Sequence, residues 1–210
     1  MFNRTNKKIE KLKQYLTTTE GEIKYSKYLN REIIVNMITP QTAEEVDSLI
    51  RYWNEEDFKN ILNNSARKTI KIFINAQGGD LNSALLLADT IKISKTPIDT
   101  INIGYCSDNA MLVYLAGHKR FAYPSATFSY KYINPIVEMG GGEEPESQKF
   151  SLSSVEEMRL TTIKNLFIER TKITENKFNK NINNGFWFTA KTATEQFICN
   201  EIVKTHSLIH

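Results

Sequence analysis

The sequence predicts an α/β fold, a mostly parallel sheet flanked by helices, within a single domain spanning residues 1–210. Three observations carry this expectation. Short apolar runs of strand character alternate with longer segments of helical period, and the links between them are short, as crossovers between parallel strands require. A chain of 210 residues, 40% of them hydrophobic, is also enough for one ordinary buried core.

The first strand is the run "EIIVNMI" at residues 32–38, behind an N-terminal segment, residues 1–24. "TPQTAEEVDSLIRYW" then starts a helix, with Pro40 in its first turn, a capping-box spacing from Thr42 to Glu45, and Val46, Leu49, Ile50 and Trp53 as the apolar stripe. "KTIKIFINAQGGD" is the second strand and closes on Gly78 and Gly79; "LNSALLLADTIKIS" is a helix with Leu81, Ala84, Leu85, Ala88 and Ile91 on one side. "IDTINIG" is the third strand. "IGYCSDNAMLVYLAG" reads as strand end, turn and apolar helix, with Ser107, Asp108 and Asn109 at the junction. "KRFAYPSATFSYKYI" divides into two short strands about Pro124, and the glycines at 140–142 mark a loop or weak strand. A helical pattern follows over residues 154–170, with a capping spacing at Ser154 and Glu157 and with Met158, Leu166 and Phe167 apolar. The chain closes with an aromatic strand, a helix capped by Thr189, and a short terminal strand.

Bulk properties exclude several classes. The formal charge of +3 is small, and the basic cluster Arg4, Lys7, Lys8, Lys11 and Lys13 interleaves with Ile9, Leu12 and Leu16, as on a solvated helix; nucleic acid is not an expected partner. No run approaches the roughly twenty apolar residues of a membrane span, and no apolar core follows the basic cluster as in a signal peptide. Cys106 and Cys199 offer neither metal-ligand spacing nor a disulfide framework, which suits a reducing cytoplasmic setting; no metal or other cofactor is expected.

In a parallel sheet the ligand site lies beyond the carboxyl ends of the strands. The Gly78–Gly79 turn, the Ser107–Asn109 junction and the strand carrying Ser129 and Lys131 converge there by topology. Adjacent glycines can aim an N–H into a cleft, as an oxyanion hole requires, and are equally an ordinary tight turn. Read without a template, Ser107 is the candidate nucleophile. A nucleophile needs a base, and His118, His206 and His210 are all poorly placed for it. Lys131 shares a strand face with Ser129 and is the alternative base.

Over residues 25–203 these motifs resemble the proteolytic subunit of the Clp protease, the ClpP family, within the wider crotonase-like fold. "YSKYLNREIIV" resembles its entry strand, "INAQGGD" its glycine-pair motif, "IGYCSDNAMLVYLAG" its nucleophile elbow and central helix, and "KRFAYPSATFSYKY" its histidine-bearing strand. The resemblance places the family's nucleophilic serine on Asp108, its histidine on Lys131 and its aspartate on or near Gly185, with Gly79 and the N–H of Asn109 at the oxyanion hole. All three triad side chains are thus replaced. Phe197 falls where the family has a helix-ending glycine, which implies a differently built final turn. Residues 133–175 would form the protruding handle, its strand at 140–142 and its helix at 154–170.

The resemblance implies a catalytically inactive ring subunit or regulatory homologue, assembled as a heptamer or double heptamer. Its implied partners are peptides, an active ClpP-like paralogue or a Clp ATPase. The alternative is a serine peptidase using Ser107 or Ser129 with Lys131. A direct or water-mediated ion pair between Asp108 and Lys131 is expected to replace the triad contacts.

Overall fold

The computed structural model describes residues 19–61, 67–132 and 146–205. In chain order these form α1 (Thr19–Asn30), β1 (Glu32–Val35), α2 (Pro40–Ile61), β2 (Ile70–Ala76), α3 (Leu81–Ile93), β3 (Ile98–Ser107) and α4 (Asn109–Ala116). They continue with β4 (Lys119–Ala122), β5 (Thr127–Tyr130), α5 (Glu146–Arg170), α6 (Glu175–Asn181), β6 (Phe186–Thr189), α7 (Ala190–Glu195) and β7 (Glu201–Ile202). The expected basic cluster, the glycines at 140–142, and His206 and His210 lie outside the described residues.

The sheet runs β1-β2-β3-β4-β7, with β5 paired to β3 and to β6. Every pairing is parallel except that of β5 with β6. One face carries Ile33, Val35, Ile70, Ile72 and Ile74 into the core against Val46, Ile50, Trp53, Leu87 and Ile91 of α2 and α3. Helix α4 is buried from Ala110 to Ala116, which explains why its sequence is apolar all round rather than striped. The opposite face holds a smaller cluster of Ile101, Phe121 and Val203. Beside it, Glu32, Lys71, Asp99 and Lys119 stand in register across β1 to β4 as a row of alternating charge. Glu32 and Lys71 approach to 3.7 Å, and burial pushes the Asp99 carboxyl above its ordinary value despite Lys119 beside it.

At the far end of the sheet from the elbow, Arg31 makes two bonds of 2.7 Å to Asp57, with side-chain exposures of 9% and 7%. Thr96 donates to the same carboxylate at 2.7 Å. Burial disfavours the Asp57 charge, yet the bonds from Arg31 and Thr96 outweigh it and leave the carboxyl below its usual range.

Several local expectations are corrected. Thr39, not Thr42, caps α2: the N–H of Thr42 donates to Thr39 Oγ1 at 3.1 Å, because Pro40 in the first helical position holds the residue before it extended. Helix α5 begins at Glu146, so the Ser154–Glu157 spacing lies inside a helix and caps nothing. Leu166 and Phe167 are buried, but Met158 is 69% exposed. Helix α6, capped by the Thr174 hydroxyl, was not anticipated. Phe197 has φ +61: a bulky residue occupies the left-handed conformation that glycine would take, so the final turn has that backbone after all. No helix among the described residues is long and apolar enough to cross a membrane.

Candidate functional site

The site is built where β3 gives way to α4. Asp108 occupies the junction at φ +46 and ψ −125, a strained conformation for a residue with a Cβ, and its side chain makes no capping bond to α4. Two contacts to the next strand hold it. The N–H of Asp108 donates to the carbonyl of Ser129 at 2.9 Å, and the N–H of Lys131 donates to Asp108 Oδ1 at 3.2 Å. The direct form of the expected ion pair is not made and a backbone contact stands in its place: the carboxylate of Asp108 and the ammonium of Lys131 are not among the ion pairs formed by the described residues. Lys131 meets the carboxylate through its N–H, and its exposed side chain lines the same cleft without closing on Asp108.

The glycine pair packs against this elbow. A Cβ on Gly78 would lie 3.1 Å from the Cβ of Asp108 and 3.5 Å from the nitrogen of Asn109. Gly79, at φ +133, bridges Ile38, and a Cβ there would meet the Ile38 carbonyl oxygen at 2.0 Å. Only glycine allows the two chains to pass so closely. The Asn109 side chain donates to the carbonyl of Gly79 at 2.7 Å and joins loop to elbow. The N–H groups of Gly79 and Asn109 have no acceptor among the described residues.

The two serines lie behind this surface. Ser107 and Ser129 are cross-strand partners, 3% and 7% exposed, with their hydroxyls 2.8 Å apart. Tyr105 Oη lies 3.0 Å from the Ser129 hydroxyl, so the chain of hydroxyls satisfies itself without Lys131. Gly185, at φ +93, stands one step beyond the Tyr130–Phe186 pair and hence across from Lys131. A Cβ on Gly185 would come within 2.5 Å of the Trp187 ring. His118 bonds to the backbone of Ile98, at the other end of β3.

Gly79, Asp108, Asn109 and Lys131 line a cleft of about 380 Å³. Its further wall contains residues that the sequence reading missed. The Tyr132 hydroxyl donates to Glu156 at 2.5 Å, and Arg159 joins Glu156 at 2.7 Å and Asn82 at 3.0 Å. Burial, reinforced by the Glu156 carboxylate, pushes the Tyr132 phenol upward. Asp80 caps α3, accepting the hydroxyl and N–H of Ser83, and these bonds hold its carboxyl below the ordinary range. The Glu156–Arg159 spacing on a helix was a readable signal for that ion pair; nothing in the sequence pointed it at this cleft. No three His, Cys, Asp or Glu side chains among the described residues are grouped closely enough to hold one metal ion.

The arrangement offers open N–H donors beside a carboxylate. It suits holding a carbonyl oxygen, with no exposed hydroxyl at the elbow to attack it.

The family model for Clp protease matches residues 17–206. The ATP-dependent Clp protease proteolytic subunit 2 of Treponema denticola is 30% identical over 142 residues, 67% of this chain and 68% of that protein. The corresponding subunit of Dehalococcoides mccartyi is 25% identical over 185 residues, 86% of each chain. A solved structure of a ClpP1 mutant from Listeria monocytogenes superposes with a TM-score of 0.71 at 22% identity, covering 90% of this chain and 99% of the other; that likeness speaks to the fold.

Proposed function

Because the chain belongs to the Clp protease family, we propose that it is a catalytically inactive homologue of the proteolytic subunit: a ring-forming or regulatory subunit that binds peptides without cleaving them. One observation carries the reading. A carboxylate, Asp108, occupies the strained elbow where the family chemistry needs a hydroxyl, while the open N–H groups of Gly79 and Asn109 still bound the cleft. An acyl intermediate on Asp108 would be a mixed anhydride, with Lys131 exposed and Gly185 unable to orient a base. The same proposal assigns the region 133–175, of which 133–145 lie outside the described residues, to the handle, the fold to the crotonase-like group, and the working form to a cytoplasmic heptameric or double-heptameric ring. That ring is joined to an active paralogue or a Clp ATPase.

Purified protein is expected to leave fluorophosphonate probes unreacted, to spare short fluorogenic peptides, and to sediment as an oligomer. Labelling of Ser107 or Ser129 that disappears in Lys131→Ala would establish the serine–lysine peptidase instead. A concentration-independent monomer would remove the ring.

A further inference from the structure

The cleft holds three carboxylates, and their commitments differ. Asp80 is used by the hydroxyl and N–H of Ser83, and Glu156 by Tyr132 and Arg159. Arg159 is in turn shared between Glu156 and Asn82. Asp108 differs: Oδ1 accepts the N–H of Lys131, while Oδ2 has no donor among the described residues. The open N–H groups of Gly79 and Asn109 lie alongside, since Asn109 directly follows Asp108 and its side chain is bonded to the Gly79 carbonyl. At the elbow the cleft therefore presents one anionic acceptor next to two neutral donors; of the two cations that also line it, Arg159 is committed to Glu156 and Asn82, and the exposed Lys131 side chain forms no ion pair with Asp108.

Few peptide groups complement that combination. An internal carbonyl satisfies the donors and leaves the Asp108 oxygen unmatched. A terminal carboxylate brings a like charge against Asp108, which is unfavourable at this range. An N-terminal aminoacyl group matches both, because its ammonium and its own carbonyl sit on adjacent carbons and can reach Asp108 and the N–H pair together. A volume of about 380 Å³ lies at the smaller end of ligand-sized sites and accommodates the first residues of a chain.

We propose that the cleft selects peptides by their free N-terminus, with Asp108 Oδ2 receiving the α-ammonium and the N–H groups of Gly79 and Asn109 receiving the first carbonyl. This deepens the proposed peptide-binding role and rests on it. The carboxylate at the elbow then has a recognition task of its own.

Titration calorimetry on the full chain tests this with three forms of the hexapeptide Ala-Leu-Ala-Leu-Ala-Gly: free amine with C-terminal amide, N-acetylated with C-terminal amide, and N-acetylated with free acid. The free-amine form is expected to bind about tenfold or more tightly than either acetylated form, the ratio that loss of one charge-assisted bond produces. Raising the pH from about 7 to 9, through the α-amino range, should weaken the free-amine form alone by about tenfold. Asp108→Asn should bring the free-amine form down to the acetylated level. Equal binding of free and acetylated peptides by the unaltered protein overturns this inference and leaves peptide binding standing. Binding by none of the forms overturns both, and cleavage of any of them overturns the noncatalytic reading.

Discussion

The backbone N–H of Asp108 donates to the carbonyl of Ser129 at 2.9 Å, so the elbow is tied to the neighbouring strand by main-chain atoms. One of the two contacts that hold its shape is therefore kept whichever side chain it carries, and only the bond from the Lys131 N–H is lost with the carboxylate. Asp108→Ser should fold with the same elbow and still resist fluorophosphonate labelling, since no base is placed beside it. Asp108→Ser combined with Lys131→His should gain slow labelling, read as a mass increase of the intact chain. Labelling of the single variant would show that another group already serves as base.

Gly79→Ala should be severely destabilising, by about 3 kcal/mol or more, because its Cβ would overlap the Ile38 carbonyl and its φ is +133. Gly104→Ala should cost less. Its Cβ would press at 2.8 Å on the Asn75 side chain, which can yield at the expense of its bond to the Tyr105 N–H. Urea denaturation of the two variants checks the order, and a larger loss at Gly104 would refute the packing account.

The Arg31–Asp57 pair should behave as a buried pair. Asp57→Asn leaves the guanidinium with only the longer 3.5 Å contact to the half-exposed Glu56 and should cost about 3 kcal/mol, whereas replacing both residues by apolar ones should cost less than the two single losses together. Asp57 is depressed in the folded state, so its contribution is complete above the unfolded value near 4 and disappears as pH falls through the lower folded value. Urea midpoints measured between about pH 5 and 3 should fall more steeply for the unaltered chain than for Asp57→Asn.

Phe197→Gly should raise stability by about 0.5 kcal/mol. Relief of left-handed strain at φ +61 exceeds the added chain entropy together with the weak contact of Lys172, 5.6 Å from the ring centroid. A lower urea midpoint in the glycine variant would mean that the ring contributes more than its half-exposed position suggests.

Where side-chain pattern and backbone agree, the sequence was sufficient. The strand–helix alternation, the glycine pair at the end of β2, the elbow and the Thr189 cap of α7 were all legible. Helix α6, "ENKFNKN", escaped because a short helix with one buried residue, Phe178, has no measurable period. The start of α5 was hidden by a stretch without an apolar stripe. At the site, residue identities placed Asp108, Ser129 and Lys131 together, yet which atom of Lys131 faces Asp108 is decided by strand orientation, and that is a property of the assembled sheet.

The alternating row Glu32, Lys71, Asp99 and Lys119 has its main effect on structures the chain does not adopt. Each partly exposed pair adds only about 0–1 kcal/mol to the native state. A slip of β1 by two residues along β2 would keep every side chain on its proper face, and hydrophobic patterning alone would tolerate it. The same slip sets Glu32 beside Phe73 or Ile34 beside Lys71, and an equivalent shift of β2 against β3 strands Lys71 next to Ile101 or Phe73 next to Asp99. A one-residue slip is already forbidden by the pleat. The row thus works as a proofreading code during assembly: neutralising Lys71 and Asp99 together should change equilibrium stability little, while lengthening the time the strands spend sampling misaligned pairings before they lock.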